Sequence, residues 1–476
     1  MAEITEQSGE SCLDGWDVLR FMQYPRNGIG ASKLYADAYK DQLRFVPEIG
    51  MYYYYNGVVW VKDLSSVYAL RMARKFWRDT IALSNKIEDE TIRRDAIKFY
   101  NRYGDLGHRE KLVRDAKTIY VAEFKVFDSH PDLYNCKNGT LDLKTGNFRE
   151  HRSSDMLTQV SNVFYDENAK CERWDKFIDE VMEGDEQSKA LLQMISGYCL
   201  SGSTKLECFF MLYGESTRNG KGTFNNVMFK MHNDYAKTLR TEALSAKSFY
   251  GNGDSPNESI ASLNGARYVC VSEPGESLVL DSDLVKALTG GDPITARFLH
   301  QHNFTFFPQF KIVINTNFLP LIKDDTIFSS ERLFVLNFTR HFDAASRDND
   351  LKNKLVKDEN MSGIFNWCYE GYKMLERSGT LKTPDKSKAI FDQYREDSDT
   401  IQQFINECLI ISEGARTSFK KVYDMYRDWC RDSGFQPCSK KTLEKRLRKK
   451  HFKIESYGKQ LRLFEYEICE SDIPFD

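Results

Sequence analysis

No apolar run in this chain of 476 residues approaches the roughly 20 residues that a membrane-spanning helix needs. The first residues, MAEITEQSGES, lack both the basic start and the apolar core of a secretory leader, so the cell interior is the expected compartment and no membrane partner is expected. The 11 cysteines include no C-x-x-C pair, which argues against a structural zinc or a disulfide framework. Several of them, Cys199, Cys208 and Cys270 among others, sit inside apolar runs and read as small buried hydrophobes. Internal repeats, low-complexity tracts and long flexible linkers are missing too. The N-terminal region has no D-x-D pair of the kind a primase uses to hold two metals, so no primase active site is expected there.

What is present is enough for real cores, with 41% hydrophobic and 13% aromatic residues. The length suggests about three domains. A net charge of −3 says nothing about partners, but its distribution does. Arg416 to Arg462 carries roughly +10 by count, leaving the remainder acidic. A basic end on an acidic body suggests one module that meets nucleic acid.

Along the chain, LRFVPEIGMYYYYNGVVWVKD reads as two strands around a two-residue turn at Asn56-Gly57. LSSVYALRMARKFWRDTIAL and ETIRRDAIKFYNRYGD then carry helical periodicity. Arg71, Arg74, Lys75 and Arg78, with Phe76 and Trp77, fit either a nucleic-acid contact or a solvated helix whose aromatics are core. A second hairpin, CKNGTLDLKTGNF, precedes helices through ERWDKFIDEVMEGDEQSKALLQMISGYCLSG. From Leu206 to about Phe342, short apolar strands alternate with loops and helices, the signature of an α/β core.

Inside that core lies GESTRNGKGT, Gly214 to Thr223, between the strand ECFFMLYG and the helix GTFNNVMFKMH. It departs from the usual phosphate loop twice. Five residues rather than four separate Gly214 from Gly220, and Gly222 stands where a serine or threonine should follow Lys221. Strand, loop and helix N-terminus are still the order that an anion site needs, with Lys221 as its point charge. A plain glycine-rich turn is the alternative. Downstream, ARYVCVSEPGE ends a strand at Ser272-Glu273, where a carboxylate can hold magnesium or orient water, or can simply be solvated. FKIVINTNFLP ends in Asn315-Thr316-Asn317, a γ-phosphate sensor or a turn. In IFSSERLFVLNF, Arg332 begins another strand, either to reach a neighbour's nucleotide or as a lone surface arginine.

As an ordered set these stretches resemble the superfamily 3 helicase domain of the poxvirus NTPase and phage/plasmid primase–helicase families. The strongest likeness is GARYVCVSEPGESLVLDSDLVKALTGGDPITARFLHQHNFTFFPQFKIVINTNFLP, and the resemblance extends over roughly Asp128 to Phe342. It implies an α/β fold built on a modified AAA+ core. The implied division is an N-terminal α+β region at 1–127, a helical domain at 128–203, the ATPase core at 204–345, a helical connector at 346–395 and a winged-helix-like basic module at 396–476. ATP and Mg²⁺ are the implied cofactors. Gly214, Asn219, Gly220, Lys221 and Thr223 match the phosphate loop, Gly222 lies in it but departs from the serine usual in relatives, and Thr223 and Glu273 are toward the metal. Asn317 matches the sensor, and Arg332 an arginine finger acting across a subunit boundary.

The resemblance also implies a homohexameric ring that draws single-stranded DNA through its pore, acts on forked DNA and works beside a separate primase or other replication proteins in a host cell. ARFLHQHNFTFF is the implied pore hairpin, with His300, Gln301 and His302 at its tip and without the lysine that related hairpins often carry there. Because Gly222 offers no side chain, the metal ligand is open. Thr223 lies about 100° farther round a helix with 3.6 residues per turn. In the basic module, KKTLEKRLRKK sets Leu443 and Leu447 on one face and Lys440, Lys441, Lys445, Arg446, Arg448, Lys449 and Lys450 on the others. That suits a recognition helix over DNA phosphates, with protein docking as the alternative. The expected function is an ATP-driven DNA helicase of a phage, plasmid or other mobile element. An origin-binding initiator or remodelling switch without processive unwinding is the second reading, and a purely structural DNA-binding protein the third.

Overall fold

The computed structural model describes residues 13, 15–246, 258–272, 275, 278–297, 299, 303–435, 437–458 and 460–469. The fold is mixed α/β, and its centre is a five-stranded parallel sheet in the order Leu333–Asn337, Phe209–Tyr213, Lys311–Thr316, Tyr268–Ser272, Ala236–Leu239. Both faces of this sheet are covered, which is why its strands read as unbroken apolar runs. Phe210, Leu212, Cys270 and Val313 enter the core on one face, with Trp174, Phe177, Phe224, Met228 and Cys368. Phe209, Met211, Ile312 and Ile314 enter the core on the other, with Val285, Phe304 and Tyr394.

The first of these cores draws on distant parts of the chain. Helices Glu172–Met182, Glu186–Tyr198 and Asp358–Ser378 pack with Lys221–His232 over the sheet. Glu186–Tyr198 and Asp358–Ser378 approach so closely that a Cβ on Gly371 would lie 1.9 Å from the Gln193 carbonyl oxygen. Two buried cations tie the sheet to the segments before it. Arg267 donates to the carbonyls of His130, Pro131 and Leu133, and Lys311 to those of Ser201, Ser203 and Gln309. Burial lowers the Lys311 amine to about 7.

The N-terminal region is a three-stranded antiparallel sheet, Leu43–Val46, Met51–Tyr55 and Trp60–Asp63, packed with helices that include Val67–Ser84, Glu90–Asn101 and Leu106–Ala116. Its hairpin differs from the expected two-residue turn. Tyr55 pairs with Trp60, and the Asn56 side chain accepts from the N–H groups of Val58 and Val59. That side-chain bridge makes Asn56 the organiser of a longer loop. Phe76 is buried in the helical core, while Arg71, Arg74 and Arg78 face solvent. The second hairpin pairs Leu133–Cys136 with Gly139–Asp142.

The C-terminal module adds two elements to the expected helix, helix and ribbon. Helix Thr400–Cys408 and strand Leu409–Ser418 precede helices Phe419–Asp432 and Lys440–Lys449, and the ribbon is Ile454–Tyr457 with Gln460–Ile468. The sheet is antiparallel in the order 409–418, 460–468, 454–457. The added strand bulges between Ile411 and Arg416, which breaks the alternation that would have marked it.

Candidate functional site

The strand Phe209–Tyr213 ends at the middle of the sheet, and the chain turns at Gly214, whose N–H donates to the Thr316 carbonyl at 3.2 Å. Helix Lys221–His232 begins after Gly220, which has φ +92° at the N-cap. A Cβ on Gly220 would strike Val181 Cγ1 at 2.4 Å, so conformation and space both require glycine. Gly214 is as confined, because a Cβ there would lie 2.3 Å from Asn219 Nδ2 and 2.8 Å from Lys221 Nζ. Gly222 is different. A Cβ there meets nothing within 4 Å.

Lys221 is buried, and its amine donates to the Gly214 carbonyl at 2.9 Å and to Asn317 Oδ1 at 2.8 Å. Asn219, also buried, braces the loop by donating to the Ser216 carbonyl at 2.6 Å. Thr223 is half-buried in the first helical turn, with its N–H on the Gly220 carbonyl at 3.0 Å. The structure therefore brings Gly214, Asn219, Gly220, Lys221, Thr223 and Asn317 to one end of the sheet. A buried lysine at a helix N-terminus is a setting for anionic oxygen.

The strand Lys311–Thr316 lies between the loop strand and Tyr268–Ser272. Glu273, which follows the latter, lies outside the described residues, as do His300, Gln301 and His302. The strands Ile294–Ala296 and Phe304–Phe306, before and after them in the chain, pair antiparallel. Asn315, on the same strand face as Asn317, is buried, and its Nδ2 lies 3.7 Å from Cys270 Sγ. The segment after the last strand also borders the loop. The Phe342 N–H donates to the Arg218 carbonyl and His341 Nδ1 to that of Thr217, each at 3.0 Å. Sequence reading names Asn315 only as part of the Asn315-Thr316-Asn317 strand end and gives His341 no role, although strict alternation in KIVINTN places Asn315 beside Asn317.

Arg332 lies elsewhere. It precedes Leu333–Asn337, so it stands at the start of that strand, whereas the loop follows the strand ends. Five residues at about 3.3 Å each separate the two levels by roughly 16 Å. Its guanidinium pairs with the Glu207 carboxylate and donates to the Glu207 carbonyl at 3.2 Å and to Thr289 Oγ1 at 3.4 Å.

The basic helix Lys440–Lys449 is capped by Ser439 and buries Leu443 and Leu447. Lys440, Lys441, Lys445 and Lys449 are exposed. The other basic residues are engaged within the chain. Arg446 reaches the Lys323 carbonyl at 3.4 Å, Arg448 pairs with Glu444 at 2.9 Å, and Lys450 pairs with Asp399 at 2.5 Å. Among the described residues, no helix is long and apolar enough to cross a membrane.

Comparison with known proteins gives two family matches, "D5 N terminal like" over residues 32–183 and "Poxvirus D5 protein-like" over residues 396–467. "Putative helicase L207/L206" of Acanthamoeba polyphaga mimivirus is 24% identical over 82% of this chain and 44% of its own length. Helicase 121R of Invertebrate iridescent virus 3, named in the same way, is 22% identical over 71% of this chain and 39% of its own. Primase D5 of Fowlpox virus is 25% identical over 49% of this chain and 30% of its own. The chain thus spans less than half the length of these relatives. The A form apo structure of the NrS-1 C-terminal region aligns over 92% of this chain and 99% of its own, at 10% identity and a TM-score of 0.48. With one match on either side of the sheet that carries Lys221 and Asn317, the family models and the named relatives support a D5-like primase–helicase family with a superfamily 3 helicase region.

Proposed function

We propose that the chain is an ATP-hydrolysing, DNA-translocating helicase of viral DNA replication, with a modified AAA+ core at 204–345, a winged-helix-like module at 396–476 and a hexameric ring as its working form. The observation that carries this reading is the meeting of Lys221 with Asn317 at a helix N-terminus, where the loop and sensor strands end side by side. Relatives named as helicases and as a primase support the replication role, and their sources favour a virus as the element.

ATP with magnesium supplies the scissile phosphoanhydride and much of the charge neutralisation. The residues of the chain supply position. Lys221 and the N–H groups opening its helix would hold the phosphates, and Gly214 keeps the backbone close to them. Thr223 and Glu273 would meet the metal, and Asn317 would orient the attacking water. Such a site works by charge stabilisation and alignment, without a covalent intermediate. Arg332, far from the Lys221 of its own subunit, suits a neighbour's site. The paired strands Ile294–Ala296 and Phe304–Phe306 fall in the chain between Tyr268–Ser272 and Lys311–Thr316, where a pore loop is expected, and the C-terminal order of helix, strand, two helices and ribbon supports a winged helix.

The test is ATP hydrolysis with and without single-stranded DNA, and strand displacement on a fork. Wild type should do both and Lys221→Ala neither. Hydrolysis that leaves every fork intact would favour the initiator or remodelling switch instead, and an absence of hydrolysis would overturn the enzymatic reading.

A further inference from the structure

Asn315 is buried near the end of its strand, and its Oδ1 has no hydrogen-bond partner among the described residues. A buried carbonyl oxygen left without a donor costs free energy, so such an atom in a native site calls for a ligand or a function. Its placement narrows the choice. Side chains alternate along a strand, so Asn315 shares the face of Asn317, whose oxygen accepts from Lys221. In the parallel register Asn315 stands opposite Ser272, the residue just before Glu273. It therefore shares a strand face with the partner of Lys221 and stands at the end of the neighbouring strand Tyr268–Ser272.

The other end of the amide is already committed. Asn315 Nδ2 faces Cys270 Sγ, and the same sulfur receives Asn225 Nδ2 at 2.8 Å from the helix that Lys221 opens. Asn225 Oδ1 in turn accepts from the Tyr268 hydroxyl. This chain of contacts turns the Asn315 oxygen away from the sulfur. Meanwhile Gly222, exposed and without a side chain, can bring nothing to a metal.

We infer that Asn315 is a further positioning residue of the nucleotide site, whose side-chain oxygen accepts a hydrogen bond from a water in the magnesium shell. This rests on the nucleotide reading above. A carbonyl oxygen suits the task because metal-bound water is a strong donor, and magnesium keeps several of its waters when it binds with nucleotide. Partners of this kind tune metal affinity without touching the metal.

The experiment measures binding of a fluorescent, non-hydrolysable ATP analogue to the full chain, in EDTA and across a magnesium titration. Asn315→Ala should bind the analogue like wild type in EDTA but need about 10-fold more magnesium for the tighter complex. Asn315→Asp keeps an acceptor oxygen and loses the amide donor, so it should return the magnesium midpoint to wild type or below. An Asn315→Ala midpoint equal to wild type would overturn the inference. So would an Asn315→Asp midpoint as poor as that of Asn315→Ala, because the sulfur contact would then be what matters. Thermal melting without nucleotide reports folding. If Asn315→Ala does not fold, the Asn315→Asp midpoint decides alone, with a wild-type value supporting the role and a 10-fold rise overturning it. Wild type that binds no analogue at all would instead remove the nucleotide reading, and this inference with it.

Discussion

Lys221 and Asn317 meet at 2.8 Å across the ends of two neighbouring strands, the amine donating to the amide oxygen. The same amine is held by the Gly214 carbonyl, so the cation does not depend on Asn317 alone for its place. Asn317→Ala should therefore leave analogue affinity within a few-fold of wild type while lowering turnover by about 10²–10³, the usual effect of deleting one preorganised polar group from a reaction site. Steady-state hydrolysis beside equilibrium binding separates the two. A variant that loses binding and turnover together would assign Asn317 to holding the lysine.

Gly222 has room that Gly214 and Gly220 lack. Serine fits there without displacing any atom within 4 Å, and it has a better helical propensity than glycine. Gly222→Ser should fold at least as stably as wild type and lower the magnesium concentration that supports hydrolysis. Thr223→Ala should raise it. If the serine changes nothing in a magnesium titration while Thr223→Ala has a large effect, the threonine alone carries the ligand.

The six basic residues of the helix Lys440–Lys449 and its C-cap Lys450 divide by their contacts. Lys441, Lys445 and Lys449 point into solvent, whereas Lys450 is tied to Asp399 at 2.5 Å and to Gln402 at 3.0 Å. Replacing the three exposed lysines by alanine should flatten the slope of log K against log salt by about 0.9 for each one that meets a duplex phosphate. Lys450→Ala should instead lower the melting temperature of the module, with little change of slope. An unchanged slope in the triple variant would favour protein docking at this face.

How far the sequence carried this reading depends on the range of each interaction. The central strands were legible because a sheet covered on both faces writes Phe209 to Tyr213 and Lys311 to Ile314 as runs with almost no polar break. The loop was legible because glycine, lysine and the following helix are adjacent in the chain. Lys221 with Asn317 needed the fold, since strand order alone brings together residues 96 apart. The pairing of Arg332 with Glu207 spans 125 residues and has no local signal at all. Near Asn56 the failure was of another kind. The Asn-Gly pair signals a tight turn, but the asparagine side chain captured two N–H groups and set a longer loop.

Arg332 carries the last prediction. At the end of the sheet away from Lys221, it is held by the carboxylate and the carbonyl of Glu207 and by Thr289. It lies roughly 16 Å of strand away from the loop of its own chain, so the proposed role in hydrolysis would be played at a neighbour's site. There an arginine would offset charge developing on the transferred group, an effect worth about 10³–10⁵ in rate where such fingers have been removed. A subunit with Lys221→Ala keeps the arginine and loses the cradle, and one with Arg332→Ala does the reverse. Each homogeneous preparation should be nearly inactive. Mixed assemblies should contain some interfaces where an intact cradle faces an intact arginine, and hydrolysis should partly return as the two are titrated against each other. Glu207→Gln supplies a control in the same assay. It weakens the ion pair but leaves Arg332 in place, so it should retain activity and complement Lys221→Ala. Mixed rings verified by particle images, yet no more active than either parent, would show that Arg332 serves only to hold Glu207 and the sheet edge.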